Sequence, residues 1–72
     1  MITTFESMKA GLQKTRVKTR VDFDNGGYSE TYYDVIYVNK FAKELLMFFG
    51  DYFVLTAEEF NQNNFLKARQ RR

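Results

Sequence analysis

Four cations alternate with other residues along one stretch of the chain, at Lys14, Arg16, Lys18 and Arg20. Side chains two positions apart in a strand point to the same face, so this spacing predicts a basic row about 20 Å long that could contact phosphates. A second basic cluster lies near the end of the sequence. The candidate nucleic-acid contacts are therefore Lys14, Arg16, Lys18, Arg20, Lys67, Arg69, Arg71 and Arg72.

The same strand face is predicted to carry residues that are typical of protein interfaces. Tyrosine and arginine are enriched in interface hot spots, although tyrosine also stacks on unpaired bases. Ile36 and Val38 would add an apolar patch, and such patches mark partner surfaces. The predicted partner-binding residues are Arg16, Lys18, Arg20, Tyr28, Tyr32, Ile36 and Val38.

A simpler interpretation of both basic clusters is a solvated surface. Glu30 and Asp34 on the neighbouring strand would partly neutralise the row, and charges on an edge strand discourage aggregation. Cations near the C-terminus complement a helix dipole, and terminal residues often fray. On this interpretation the last three residues, 70–72, are dispensable for folding.

The residue types needed for most catalytic mechanisms are missing from the sequence. It contains no cysteine and no histidine, so thiolate and imidazole chemistry and the usual zinc or haem ligands are excluded. Gly26 and Gly27 lack the lysine of a phosphate-binding loop, and Asp22 and Glu30, predicted to lie opposite each other, are expected to form only a surface charge cluster. We expect no enzyme, no metal and no cofactor.

Length and composition predict one small globular domain over residues 1–72. The chain is 44% hydrophobic and 18% aromatic with a net charge of +2, and most aromatic residues are expected to be needed for packing. No run approaches the roughly 18 apolar residues of a membrane span, and no basic segment leads into an apolar signal core. These features predict a cytoplasmic protein that does not act at a membrane.

The first half of the sequence predicts a helix followed by a hairpin. Thr3 and Glu6 match a capping box, with Phe5, Met8 and Leu12 on one apolar face. The period then changes to two, and a three-residue loop at 25–27 would pair Val17 with Val35. The residues predicted to face the core of the hairpin are Thr15, Val17, Val21, Phe23, Tyr33, Val35 and Tyr37.

The second half is less uniform. Residues 40–49 fit either a helix or a buried strand, and the strand interpretation places a type II′ turn at Gly50 and Asp51. Thr56 and Glu59 predict a capping box for a last helix whose apolar face includes Ala57, Phe60, Phe65 and Ala68. The predicted fold is α+β in the order α-β-β-β-β-α, a four-stranded antiparallel meander covered on one face; the alternative order is α-β-β-α-β-α.

A short chain without catalytic groups or cofactor motifs is best explained as a binding module. We expect a non-enzymatic protein that occupies a partner surface, as an inhibitor or adaptor; small accessory proteins of phages and mobile elements are an analogy of size and composition only. The alternative is nucleic-acid binding through the basic row and the basic C-terminus. Two open sheet edges and an apolar patch also predict a homodimer.

Overall fold

The computed structural model describes residues 3–71. A 3₁₀ turn at Phe5–Ser7 is followed by a four-stranded antiparallel sheet in the order β1-β2-β3-β4, and two short helices end the chain. The elements are β1 (Gly11–Asp22), β2 (Tyr28–Asn39), β3 (Glu44–Phe49), β4 (Asp51–Thr56), α1 (Ala57–Asn61) and α2 (Phe65–Gln70). The predicted antiparallel meander is confirmed, and residues 44–49 form a strand. Among residues 3–71, no helix is long and apolar enough to cross a membrane.

The predicted N-terminal helix is wrong, because only one 3₁₀ turn forms. Phe5 and Met8 are buried, and a spacing of three residues brings both inward within a single turn. Leu12, the third member of the predicted helix face, lies exposed on β1. The chain leaves the turn before Gly11, whose φ of +98° is unstrained only for glycine.

The β1–β2 loop has the predicted length but lies one residue earlier. The Gly26 N–H donates to the Phe23 carbonyl, and Phe23 N–H donates to the Gly27 carbonyl, so the loop is residues 24–26. Gly26, the last residue of the loop, adopts the left-handed conformation, at φ +90°, that is usual at this position of a three-residue hairpin loop. The predicted pairing of Val17 with Val35 is wrong, since Val17 lies opposite Tyr33. The shift is two residues, so each side chain keeps its predicted face.

Bulges in two pairings change the faces of the sheet beyond Val35. Two residues of β1, 13–14, oppose one residue of β2, and Ile36 is unpaired in the ladder with β3. Val35 and Val38 therefore both face the core and are fully buried, whereas Tyr37 is 43% exposed. The predicted core position of Tyr37 and the predicted exposure of Val38 are both wrong, because strict alternation does not continue through a bulge.

The β3–β4 hairpin is tighter than the predicted type II′ turn. Phe49 pairs with Asp51, which leaves Gly50 alone at the tip with φ +74°. A two-residue turn would have paired Met47 with Val54 and mixed the two faces. The observed register instead places Met47 opposite Phe53, and both are buried.

The predicted C-terminal helix is divided in two. The Thr56 and Glu59 capping box is confirmed, since Glu59 N–H donates to Thr56 Oγ1 and Thr56 N–H donates to Glu59 Oε1. Asn63 then adopts φ +58°, which ends the first helix before α2 begins. Phe60, Phe65 and Ala68 are buried against the sheet as predicted.

The sheet has two parts with different surroundings. In the part that we call the base, all four strands pair and the helices cover one face; its fully buried residues include Val35, Leu45 and Met47. Beyond Tyr33, β1 and β2 continue as a two-stranded arm, residues 18–32, in which every residue is exposed or half-buried. The predicted core residues Val21 and Phe23 are exposed because they lie on this arm, and Thr15 is exposed beside the β1 bulge.

Candidate functional site

The sheet face opposite the helices, which we call the open face, carries three of the four cations of the predicted basic row, whereas the fourth, Lys14, lies in the β1 bulge. Arg16 lies opposite Asp34 and Arg20 opposite Glu30, so the side chains of both strands share this face. Arg16 Nε is 3.3 Å from Asp34 Oδ1, and Lys18 Nζ is 3.7 Å from Glu30 Oε2. These three β1 cations thus have acidic partners on the arm or at its border, Arg20 pairing with Asp22. The row is an alternation of charges rather than a basic stripe.

Arg20 is held by two contacts at once. Its Nε donates to Asp22 Oδ1 at 2.9 Å, and its guanidinium carbon lies 4.0 Å from the centroid of the Tyr28 ring. Tyr28 is therefore stacked under a cation, while Tyr32, opposite Lys18, remains half-exposed. The predicted opposition of Asp22 and Glu30 is wrong, because Asp22 lies opposite Tyr28.

The open face of the base carries an apolar cluster that the sequence analysis did not identify. One cross-strand row joins Tyr37, Leu46 and Val54, and Leu12 pairs with Tyr37 at its end. Phe48 and Tyr52 form the next row, with ring centroids 5.1 Å apart. We call this cluster the outer patch: Leu12, Tyr37, Leu46, Phe48, Tyr52 and Val54.

The outer patch adjoins the charged part of the open face without a gap. Asp34 lies opposite Arg16 on one side and opposite Phe48 on the other, so one row runs Arg16, Asp34, Phe48, Tyr52 across four strands. Leu46 and Phe48 are half-buried by their neighbours, and the other four side chains are exposed. Alternation within 44–49 and 51–56 could have revealed the patch once both segments were taken as strands.

The predicted partner-binding residues do not all lie on this surface. Arg16, Lys18, Arg20, Tyr28 and Tyr32 share the open face, Ile36 is half-buried at the bulge, and Val38 is in the core. Strict alternation misplaced Val38 and concealed Tyr37, because the extra residue at Ile36 exchanges their faces.

The C-terminal cations do not form one basic cluster. Arg71 forms an ion pair with Glu59 and donates to the Val54 carbonyl at 3.1 Å, on the free edge of β4. Arg69 lies 4.7 Å above the Phe49 ring, and Lys67 is exposed. Arg72 lies outside the described residues.

Glu59, which forms the ion pair with Arg71, is buried. Burial raises the pKa of Glu59, but hydrogen bonds from the Thr56 backbone and from Arg71 outweigh it and hold the pKa below its ordinary value. Its carboxylate therefore stays ionised at neutral pH and caps α1. This is a structural role rather than a catalytic one.

The remaining acidic residues among 3–71 lie on the surface, exposed or half-buried. Within residues 3–71 no three acidic side chains are close enough to hold a metal ion. Glu30 and Asp34 are engaged with Lys18 and Arg16 on the sheet surface. Comparisons with protein-family models, curated proteins and solved structures match nothing to this chain, so its geometry and chemistry are the guides to its function.

Proposed function

We propose that this protein is a non-enzymatic module that binds a protein partner through the open face, acting as an inhibitor or adaptor by occupying a partner surface. The observation that carries the proposal is the outer patch. Six apolar or aromatic side chains form two adjoining rows on a face that no helix covers within residues 3–71. Contiguous exposed apolar surface of this kind marks interaction sites.

The chemistry of the face is that of a protein interface. Aromatic residues and arginine dominate interface hot spots, and a polar rim usually surrounds an apolar centre. Tyr37, Phe48 and Tyr52 supply the centre, while Arg16 and Asp34 supply charges of both signs at one side. A partner that buries the patch therefore also meets a positive and a negative charge at one side of it, and these charges fix the partner's orientation.

Nucleic-acid binding is the weaker candidate because the basic row is compensated. Each of Arg16, Lys18 and Arg20 has a carboxylate within 4 Å. Affinity for a nucleic-acid backbone depends chiefly on net positive charge, and these carboxylates cancel that of the row. The aromatic residues of the outer patch lie beside this compensated row, and such an arrangement is more typical of a surface that binds another protein.

The test is affinity capture from a lysate of the source cells with nuclease added. We compare the wild-type chain with the double variant Tyr52→Thr and Val54→Thr, in which polar β-branched residues preserve strand propensity. We expect nuclease-resistant capture of a defined protein by the wild type and its loss in the variant. Phe41→Thr is the matched control, because Phe41 is an exposed aromatic residue in the turn between β2 and β3, outside the outer patch.

Two results contradict the proposal. One is capture that disappears with nuclease and weakens steeply with salt, as expected for phosphate contacts. The other is an equal loss of capture by the control variant, which would show that the outer patch contributes no more than any other exposed apolar residue. We also propose that the outer patch mediates a homodimer when the partner is absent and that the partner displaces the second copy; a wild-type chain that remains monomeric by light scattering at high micromolar concentration contradicts this.

A further inference from the structure

The outer edge of β1 is unpaired along the arm. β1 is the terminal strand of the sheet and pairs only with β2 among residues 3–71. Hydrogen-bonded and non-bonded pairs alternate along an antiparallel ladder. Since Phe23 N–H bonds to the Gly27 carbonyl, the pair two residues earlier, Val21 with Ser29, is also bonded, and the alternation continues to Val17.

The free edge of β1 along the arm is therefore formed by the backbone groups of the cationic residues. Arg16, Lys18 and Arg20 occupy the non-bonded positions, so their backbone N–H and C=O groups point away from β2. A strand that pairs with β1 would exchange main-chain hydrogen bonds with these three residues. Its side chains directly opposite them would lie on the open face, within reach of three positive charges.

The two arginines retain hydrogen-bond donors for such a strand. Arg16 and Arg20 each contact their acidic neighbour through Nε, and within residues 3–71 their Nη groups have no hydrogen bond. Both side chains are more than half exposed. Guanidinium groups bind carboxylates through paired N–H donors, so a second carboxylate can bind without breaking the existing contact.

The other face of the arm favours apolar residues at alternate positions. A groove of about 270 Å³ lies between the arm and α2; its lining includes Thr19 and Val21 of β1 and, from the base, Phe49, Phe65, Leu66 and the cation Arg69. A strand added to β1 would place every second side chain on this inner face, beside the groove. The β1 edge thus favours an extended segment with acidic side chains on one face and apolar side chains on the other.

A second copy of this chain is a poor occupant of the edge. Two β1 strands paired in antiparallel fashion with Lys18 opposite Lys18 would place the cations of one chain opposite those of the other. Like charges directly opposite are destabilising. The charge therefore favours an acidic partner over self-pairing.

We propose that the β1 edge binds an extended acidic segment of a partner protein, in which acidic residues alternate with apolar ones and add to the sheet as an antiparallel fifth strand. Strand addition of this kind draws affinity from main-chain hydrogen bonds and specificity from alternate side chains. The proposal rests on the function proposed above and names the chemistry of the partner segment.

The probe is a blocked seven-residue peptide with three glutamates alternating with two valines between terminal threonines. Titration into ¹⁵N-labelled protein is followed by amide chemical shifts, and we expect the largest shifts at Arg16, Lys18 and Arg20. A peptide with lysine in place of each glutamate should not bind. Equal binding of both peptides, or shifts confined to the outer patch, overturns the proposal.

Methylation of the peptide backbone tests the hydrogen bonds without altering the protein. The glutamates oppose the cations, so their N–H groups face β1, whereas those of the valines face solvent. Methylation of the central glutamate nitrogen should weaken binding about fivefold to tenfold, since one hydrogen bond is lost and the methyl group obstructs the pairing. Methylation of a valine nitrogen is the control. An equal effect of the two overturns strand addition.

A pair of protein variants separates backbone from charge. Lys18→Thr removes the charge, and Lys18→Pro removes the charge together with the outward N–H, at an edge position where proline is tolerated. We expect Lys18→Pro to bind more weakly than Lys18→Thr. If Lys18→Pro does not fold, the methylated peptides decide. Absence of peptide binding, with nuclease-resistant capture still dependent on the outer patch, rejects the edge site alone; peptide binding without such capture rejects the proposed function alone.

Discussion

The base and the arm share the strands β1 and β2, yet only the base has a core. Val35 on the base is fully buried beneath the helices, whereas Val21 on the arm, facing the same side, is 59% exposed. Both belong to strands with apolar residues at alternate positions. The difference shows that alternation determines the face on which a side chain lies, while burial depends on whether another element extends far enough to cover it.

The largest expected effect contrasts one phenylalanine from each region. Phe65 is 2% exposed and stacks on Tyr33 with ring centroids 4.8 Å apart, while Phe23 at the tip of the arm is 50% exposed. Phe65→Ala should lower the free energy of unfolding by about 3 to 5 kcal/mol. Phe23→Ala should change it by about 0.5 kcal/mol or less. Urea denaturation monitored by circular dichroism measures both, and similar losses would show that the arm has a core of its own.

Arg71 provides the next effect, within the base. Arg71→Ala leaves the buried Glu59 without its charged partner and removes the bond to the Val54 carbonyl, so it should cost about 1 to 3 kcal/mol. The expectation that residues 70–72 are dispensable is therefore revised, and their deletion should destabilise the fold similarly. Arg69→Ala, which removes a contact with the Phe49 ring, is the comparison variant. A loss no larger than that of Arg69→Ala would contradict the role assigned to Arg71.

The same pair gives a pH dependence. Because the folded-state pKa of Glu59 is lowered, its contribution to stability is fully present above the unfolded pKa and is lost as pH falls through the folded value. The stability difference between wild type and Glu59→Gln should therefore be constant near neutrality and shrink in acid, below about pH 4.3. Denaturation curves between pH 7 and pH 3 measure it. A difference that grows in acid would reverse the assigned direction.

A smaller effect of opposite sign lies at the bulge near the border of base and arm. Lys14 has φ +53°, a left-handed conformation that is strained for a residue with a Cβ atom. Lys14→Gly should therefore raise the free energy of unfolding by about 1 kcal/mol. Gln13→Gly is the matched control in the same bulge and should lower it, since Gln13 is not left-handed. Destabilisation by both would place the strain elsewhere.

A change of charge on the arm and its border is expected to affect stability much less than binding. The double variant Arg16→Glu and Arg20→Glu alters exposed ion pairs, which contribute about 0 to 1 kcal/mol each, so the fold should survive while partner binding is lost. Lys9→Glu with Lys67→Glu makes the same change of charge at exposed sites elsewhere and should retain binding. Thermal melting and the capture experiment are the measurements. Unfolding of the first variant would show that these arginines are structural.

The strands and their faces could be predicted from the sequence because apolar spacing and turn residues specify them locally. The parity of a hairpin loop kept Arg16 and Lys18 on the open face even though the loop begins one residue early. The same parity argument, applied to Met47 and Phe53, excludes the two-residue turn predicted at Gly50. Consistency between faces is thus more informative than the preference of one turn residue.

The remaining errors have three separate causes. The Ile36 bulge depends on pairings with two neighbouring strands, so the exchange of Tyr37 and Val38 leaves no local signal in β2. The division of the predicted C-terminal helix depends on Asn63, where the backbone adopts a left-handed conformation between α1 and α2. The outer patch was missed because residues 40–49 fitted either a helix or a buried strand, and neither interpretation assigned an exposed sheet face to that segment.

The two edges of the sheet differ in a way that bears on stoichiometry. Arg71 donates a hydrogen bond to the Val54 carbonyl on the free side of β4, a strand of only six residues. The twelve-residue β1 has no side chain bonded in this way along the arm among residues 3–71. A sheet that accepts strands on both sides propagates into fibres, as exposed edges do in aggregation. With the β4 side blocked, each domain accepts an added strand on one side only, at β1. The fold therefore favours a discrete complex of one domain with one segment over an open polymer.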